Sequence, residues 1–127
     1  MEYDAARDCI FCALDRAILA ETKLSKAFLD GFPVSKGHAL VIPKRHVPTI
    51  WELSAEEYVD VFNLVREVRQ LIQARFEPPG INVGVNCGQA AGQTVFHAHI
   101  HIVPRYSGDV PNPRGGIRNI IPGQGTY

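Results

Sequence analysis

The chain has little of what a special environment demands. Its 127 residues include three cysteines, one tryptophan and one methionine, and its 13 lysines plus arginines are matched by 13 aspartates plus glutamates. Three cysteines, two of them only three positions apart at Cys9 and Cys12, exclude a disulfide framework and argue for a reducing compartment. The neutral balance removes the electrostatic case for tight duplex nucleic-acid binding. Small anions remain possible, because they need local charge only. No apolar run approaches the roughly 20 residues of a membrane span. Met1-Glu2-Tyr3-Asp4 is acidic and no long apolar region follows it, so it does not read as a secretory signal. A cytoplasmic protein without membrane or nucleic-acid partners is expected. There is no internal repeat, low-complexity tract or linker, so residues 1–127 read as one domain. A hydrophobic share of 46% with 20% charged residues suits a chain that buries a core.

What the chain does have is histidine in a pattern. Three of its five histidines stand in His97-Ala98-His99-Ile100-His101-Ile102-Val103. Side chains alternate across an extended strand, so His97, His99 and His101 share one face and Ala98, Ile100 and Ile102 cover the other. Neighbouring imidazoles on such a face sit roughly 6–7 Å apart. Histidine titrates near neutrality, so the row can supply a nucleophile, a proton carrier or metal ligands.

Around that run the pattern is α+β. A short first segment through Asp15 carries the cysteine pair. Strands are expected near residues 16–20 and 23–30, with Gly31, Pro33 and Gly37 marking a connection. His38-Ala39-Leu40-Val41-Ile42 reads as a buried strand stopped by Pro43. A helix is expected over 55–75. Ser54 and Glu57 form a capping box before it, and Tyr58, Val61, Phe62, Val65, Val68 and Ile72 fall at helical spacing. Pro78-Pro79-Gly80 ends it. Strands are expected at 81–86 and 94–103, separated by the small-residue loop 87–93. Beyond Arg105 the chain is rich in glycine and proline and reads as an extended, surface-draped tail. In it, Arg114 and Arg118 are solvating or partner-contacting residues. The connections are too short for parallel crossovers, so a mainly antiparallel five-stranded sheet with one long helix packed on it is the economical architecture.

The loop ahead of the histidines, Asn86-Cys87-Gly88-Gln89-Ala90-Ala91-Gly92-Gln93-Thr94, combines glycines with amide and hydroxyl donors. Such a loop lets backbone N–H groups approach an anion. Running into a row of imidazoles, it suits a phosphate attacked by histidine. Gly92-Gln93-Thr94-Val95-Phe96-His97-Ala98-His99-Ile100-His101-Ile102-Val103-Pro104-Arg105 resembles the signature of the histidine triad (HIT) family. So does Ser35-Lys36-Gly37-His38-Ala39-Leu40-Val41-Ile42-Pro43-Lys44-Arg45-His46. The tail Pro113-Arg114-Gly115-Gly116-Ile117-Arg118 is similar to that of bacterial members. The resemblance implies a hydrolase or transferase acting at the α-phosphate of a purine nucleotide. Nucleoside phosphoramidates, aminoacyl adenylates and dinucleoside polyphosphates are the substrate classes it implies. It makes His99 the nucleophile that carries a nucleotidyl intermediate, His101 the phosphate contact and His38 the upstream active-site histidine. Asp30 would bond the ribose hydroxyls, and Asn86, Gln93 and Thr94 the phosphate and leaving group. Ile10, Phe11, Phe28 and Leu40 would wall the base. The same resemblance implies a homodimer in which the long helix and the sheet edge join to give one continuous ten-stranded sheet.

Cys9-x-x-Cys12 is half of a zinc site and needs two further ligands. Members of the family with this pair carry histidines at the positions of His46 and His97, which implies a structural zinc held by all four. Read without the family, these residues have plainer roles. The cysteines could be free thiols or a redox pair, Cys87 a small core residue, Asp30 a turn residue, and His38 and His46 polar residues at strand ends. Two other functions fit the same residues. One is a nucleotide sensor or scaffold without catalysis. The other is a zinc hydrolase with His97, His99 and His101 around a metal-bound water.

Overall fold

The structure, a computed structural model, describes residues 2–127. A short helix α1 (Ala5–Asp8) precedes strands β1 (Ala20–Glu21), β2 (Ser25–Leu29) and β3 (Ala39–Pro43). The long helix α2 (Ala55–Phe76) follows, then β4 (Gly80–Val85) and β5 (Ile100–Arg105). The strands form one antiparallel sheet in the order β1-β2-β3-β5-β4. This is the expected five-stranded α+β architecture.

The registers of the central strands explain both faces of the sheet. Ala27 pairs with Val41, and Val41 with Ile100; one position along, Phe28 pairs with Leu40, and Leu40 with His101. Directly paired residues share a face, and neighbouring positions take opposite faces. Ala27, Val41, Ile100 and Ile102 therefore meet the apolar face of α2, with Val61, Leu64, Val68 and Ile72, in the main core. Phe28, Leu40 and Ile42 face the other way and form a second cluster with Cys9 and Phe11 of the N-terminal segment. The helix is capped as expected: Ser54 accepts from the Glu57 N–H (3.1 Å), and the Glu57 carboxylate accepts from the Ser54 N–H (2.8 Å). Arg45 adds a two-pronged bond to the same carboxylate at 3.0 and 2.8 Å.

Several boundaries differ from the sequence expectation. Residues 16–18 are not a strand; the ladder starts where the Leu19 N–H meets the Ala27 carbonyl, and Arg16 instead bonds Leu29 O through its side chain. The histidine strand begins at Ile100, the last position paired with both β3 and β4. Upstream of it the pairing with both neighbours ends, at Val41 of β3 and Val85 of β4, although β3 itself runs on to Pro43, and the Ala98 N–H turns to the Val47 carbonyl (2.8 Å). The face alternation of residues 97–102 survives this, since Ala98 joins the main core. On α2, Leu64 packs inward while Phe62 stays 43% exposed, so the apolar stripe is rotated from the one read off the spacing. The tail is folded rather than extended. A 3-10 turn at Gly116–Ile120 lies in it, and the guanidiniums of Arg118 and Arg114 sit 4.6 and 5.0 Å from the ring centre of Tyr127.

The Arg45 and Ser54 contacts hold the Glu57 carboxyl down at about 2. Its stabilising contribution is present above the ordinary carboxylate value of 4.5 and is lost as pH falls toward 2. Glu57→Gln is expected to lower the unfolding free energy at pH 7 by about 1–2 kcal/mol, measured by urea denaturation. The difference from wild type should narrow as the pH is taken below 4.5.

Candidate active site

A cavity of about 480 Å³ opens on the face of the sheet away from α2. The row Phe28–Leu40–His101 supplies its floor, because those three residues are directly paired across β2, β3 and β5. Ile10, Phe11, Asp30, Asn86, Thr94 and His99 complete the lining expected from the sequence. Gln93 and His38 are not among the lining residues. Gln93 is buried in the loop, where its amide donates to Pro48 O (2.6 Å) and Val95 O (3.0 Å) and its oxygen accepts from the Gly88 N–H (2.8 Å). It holds the glycine loop in shape, and that loop needs glycine at Gly88 and Gly92, whose φ values are +95° and +91°.

Leu14, Arg16, Gly31, Phe32 and Val95 line the cavity without having been foreseen. The spacing of Leu14 from Ile10 and Phe11 offered a faint signal. Nothing in the sequence marked Arg16, which reaches the cavity through a loop conformation.

The histidines occupy two places, not one. His99 and His101 stand at the cavity with ring centres 5.1 Å apart. His97 is buried behind them, and the edge of Phe11 packs on both His97 (6.0 Å) and His99 (5.1 Å). Among the described residues, His97, His99 and His101 do not gather their ring nitrogens at a common point.

Backbone groups fix the tautomers. His99 Nδ1 lies 2.8 Å from the carbonyl oxygen of His97, an acceptor only, so Nδ1 carries the proton and Nε2 keeps its lone pair. The Val34 N–H donates to His38 Nδ1 (3.1 Å), which leaves the proton of neutral His38 on Nε2. His38 Nε2 then donates to His101 Nδ1 (2.9 Å), so His101 carries its own proton on Nε2. For neutral rings the outcome is one with a free lone pair beside one with a free N–H, a pair that can act as a nucleophile next to a donor for an anionic oxygen. The Asp30 carboxylate lies 3.5 Å from His38 Nε2. Burial lowers the His38 pKa and Asp30 opposes it. Burial, with His99 and His38 alongside, pushes His101 from 6.5 down to about 4, so it is neutral at physiological pH.

The second cluster joins Cys9, Cys12, His46 and His97, whose donor atoms all lie within 4.8 Å of one another. Sulfur to nitrogen distances are 3.5 Å from Cys9 to His97, 3.4 Å from Cys12 to His97 and 3.4 Å from Cys12 to His46, and the two Nδ1 atoms are 3.1 Å apart. His97 Nε2 donates to Pro43 O (2.8 Å), which aims the unprotonated Nδ1 at the cysteines. Burial and the adjacent Cys9 push the Cys12 thiol up to about 11, so a pair of thiolates here calls for a compensating cation. This donor set can hold a metal ion.

The comparisons agree with the geometry. The family model described as HIT domain matches residues 13–108. Adenosine 5'-monophosphoramidase hnt1 of Schizosaccharomyces pombe is 45% identical over 114 residues, 86% of this chain and 79% of its own. Bis(5'-nucleosyl)-tetraphosphatase [asymmetrical] of the same yeast is 45% identical over 92 residues, 72% of this chain but 50% of its own. The crystal structure of a HIT family protein from Bacillus anthracis superposes with a TM-score of 0.77 at 41% identity, covering 81% of this chain and 77% of its own. A Zn-bound histidine triad family protein from Mycobacterium smegmatis gives 0.76 at 32% identity, covering 84% and 81%. A matched stretch of this extent, on a fold and site of this form, defines the class: the chain belongs to the HIT domain family.

A nitrogen-resolved NMR titration checks the tautomer chain. His101 should stay neutral, protonated on Nε2, down to about pH 4. An imidazole that titrates near 6.5 would break the scheme. Because the unfolded chain takes up this proton first, His101 should make the fold less stable as pH drops from 6.5 to about 4, and add no further loss below that.

Proposed function

We propose that the chain is a purine-nucleotide hydrolase or nucleotidyl transferase that works at the α-phosphate through a covalent nucleotidyl-His99. The observation that carries this reading is the His99 ring at the cavity, with Nδ1 tied to the His97 carbonyl and Nε2 left with its lone pair. In the first step Nε2 attacks phosphorus, the P–N bond forms, and the bond to the leaving group breaks. The leaving group departs with a proton taken from solvent, and the water that attacks in the second step returns one. Water then attacks phosphorus, the P–N bond breaks, and a nucleoside monophosphate is released with His99 regenerated. Two displacements replace one harder one. His101 Nε2–H donates to a non-bridging phosphate oxygen, and His38 holds His101 in the tautomer that can do so. Asn86, Thr94 and the glycine loop supply further donors, and Asp30 accepts from the ribose hydroxyls. Nucleoside phosphoramidates, aminoacyl adenylates and dinucleoside polyphosphates are the substrate classes. The names of the two yeast relatives support the first and third.

The metal of the four-residue cluster is read as a structural zinc. Tetrahedral zinc, with bonds of about 2.3 Å to sulfur and about 2.0–2.1 Å to nitrogen, separates sulfur from nitrogen by about 3.6 Å and the two nitrogens by about 3.4 Å. The observed separations of 3.4–3.5 Å and 3.1 Å fit that frame closely. Four protein ligands close the site, so what the ion supplies is cross-linking of the N-terminal segment to the His97 loop. The assembly is read as a cytoplasmic homodimer in which the outer edge of β4 pairs with its copy, giving ten continuous strands. The terminal place of β4 in the sheet and the exposure of Val83 on it support this. Among the described residues, no helix is long and apolar enough to cross a membrane.

His99→Ala is expected to abolish turnover of an adenosine phosphoramidate while retaining nucleoside monophosphate binding. Mass spectrometry of wild type with a slow substrate should find the nucleotidyl group on His99. A wild-type enzyme that binds nucleotide but never forms the adduct would instead be a sensor. Zinc analysis should give one ion per chain. Chelation should lower the melting temperature and loosen residues 2–14 in hydrogen exchange, with Cys12→Ser reproducing the effect.

A further inference from the structure

One cation in the cavity wall has no part in the chemistry above. Arg16 lines the cavity, donates from Nη1 to the Leu29 carbonyl (2.9 Å) and holds its guanidinium carbon 5.8 Å from the centre of the Phe28 ring. The chain makes room for it at Gly31. Gly31 lies outside the left-handed region, so backbone conformation does not require glycine there. A Cβ on Gly31 would instead collide with the guanidinium nitrogens of Arg16. Among the described residues, the bond to Leu29 is Arg16's only hydrogen bond and no carboxylate pairs with it. A fork of five N–H groups is thus seated on the cavity wall with most of its donors unused.

The sheet register locates this fork along the cavity. His101 pairs with Leu40 and Leu40 with Phe28, so Phe28 lies two strand spacings, about 10 Å, from the phosphate end. Every named contact of Arg16 is with β2 or the turn after it, at that far end. Phe28, beside the guanidinium, is one of the residues read as walling the base, so a nucleotide with phosphorus at His99 and its ribose at Asp30 meets Arg16 with its base. A second phosphate there is disfavoured, because the Asp30 carboxylate borders the same stretch.

We propose that Arg16 is a specificity-determining residue that selects 6-oxopurine nucleotides over adenine nucleotides; this rests on the nucleotide reading of the site. Arginine can only donate. Guanine and hypoxanthine present two adjacent acceptors, O6 and N7, that a guanidinium fork matches. Adenine presents N7 beside an amino group, so one prong meets another donor. The Leu29 carbonyl anchors the fork through Nη1, and the missing side chain at Gly31 leaves the room it occupies.

The test is calorimetric titration of the purified full chain with GMP, IMP and AMP, repeated on Arg16→Met and Arg16→Lys. Wild type should bind GMP and IMP at least about fivefold more tightly than AMP. IMP should track GMP, since both share the O6/N7 edge. The ratio should fall to about 1 in Arg16→Met. It should also shrink in Arg16→Lys, which keeps the charge and loses the fork. Equal affinity of wild type for GMP and AMP overturns the assignment and leaves the nucleotide reading standing. So does an Arg16→Met variant that weakens all three ligands alike and keeps their ratio. If wild type binds none of the three, the nucleotide reading fails and the assignment of Arg16 falls with it.

Discussion

The antiparallel register across β2, β3 and β5 is the constraint on which the rest depends. It carries two lines of residues side by side, Ala27–Val41–Ile100 toward the helix and Phe28–Leu40–His101 toward the cavity. A slip of one residue in any of the three strands would move its whole set to the other face. In β5 such a slip would bury His101 under α2 and expose Ile100 and Ile102 at the site. The core and the chemistry are therefore specified by the same hydrogen bonds. The tight packing of Ala27, Ala39, Val41 and Ile102 on one face is what fixes the histidine positions on the other.

The N-terminal segment is the second layer of that arrangement. Sheet and helix alone leave the cavity face open. Cys9 and Cys12 tie the segment to His46 and His97, and this brings Phe11 against both His97 and His99. One aromatic side chain thus joins the Cys/His cluster to the cavity histidine. The backbone does the remaining tuning. A carbonyl at His97 and an N–H at Val34, each with only one hydrogen-bonding sense, set the proton positions on His99, His38 and His101 in turn. Burial favours the neutral form of His38 and His101.

Much of this was legible along the chain because it is local. The period-2 alternation of residues 97–102 announces two faces whatever the partners are. The Ser54 and Glu57 cap is written in four residues and is formed as read. Glycines at 88 and 92 mark a loop whose backbone they alone adopt readily. Errors came where an element's extent depends on its neighbours. Residues 97–99 have no ladder because β4 ends at Val85, opposite Ile100, and β3 pairs with β5 only as far as Val41. Phe62 has the right periodicity for the core but lies on the flank of α2 that the sheet does not cover. The tail compacts because Tyr127 returns to lie between two arginines, a contact spanning 9 to 13 residues that no periodic pattern announces.

By itself, the sequence determined which residues can act: three imidazoles in alternation, a donor-rich glycine loop, a cysteine pair and a capped helix, all consequences of chemistry and short-range geometry. Tertiary structure alone decided how they divide the labour. It sent His97 to the cysteines and His99 to the cavity, turned Gln93 inward as a strut, and placed Arg16 opposite Gly31 at the far end of the site. Those outcomes depend on the distance between segments far apart in the chain, and only packing sets that distance.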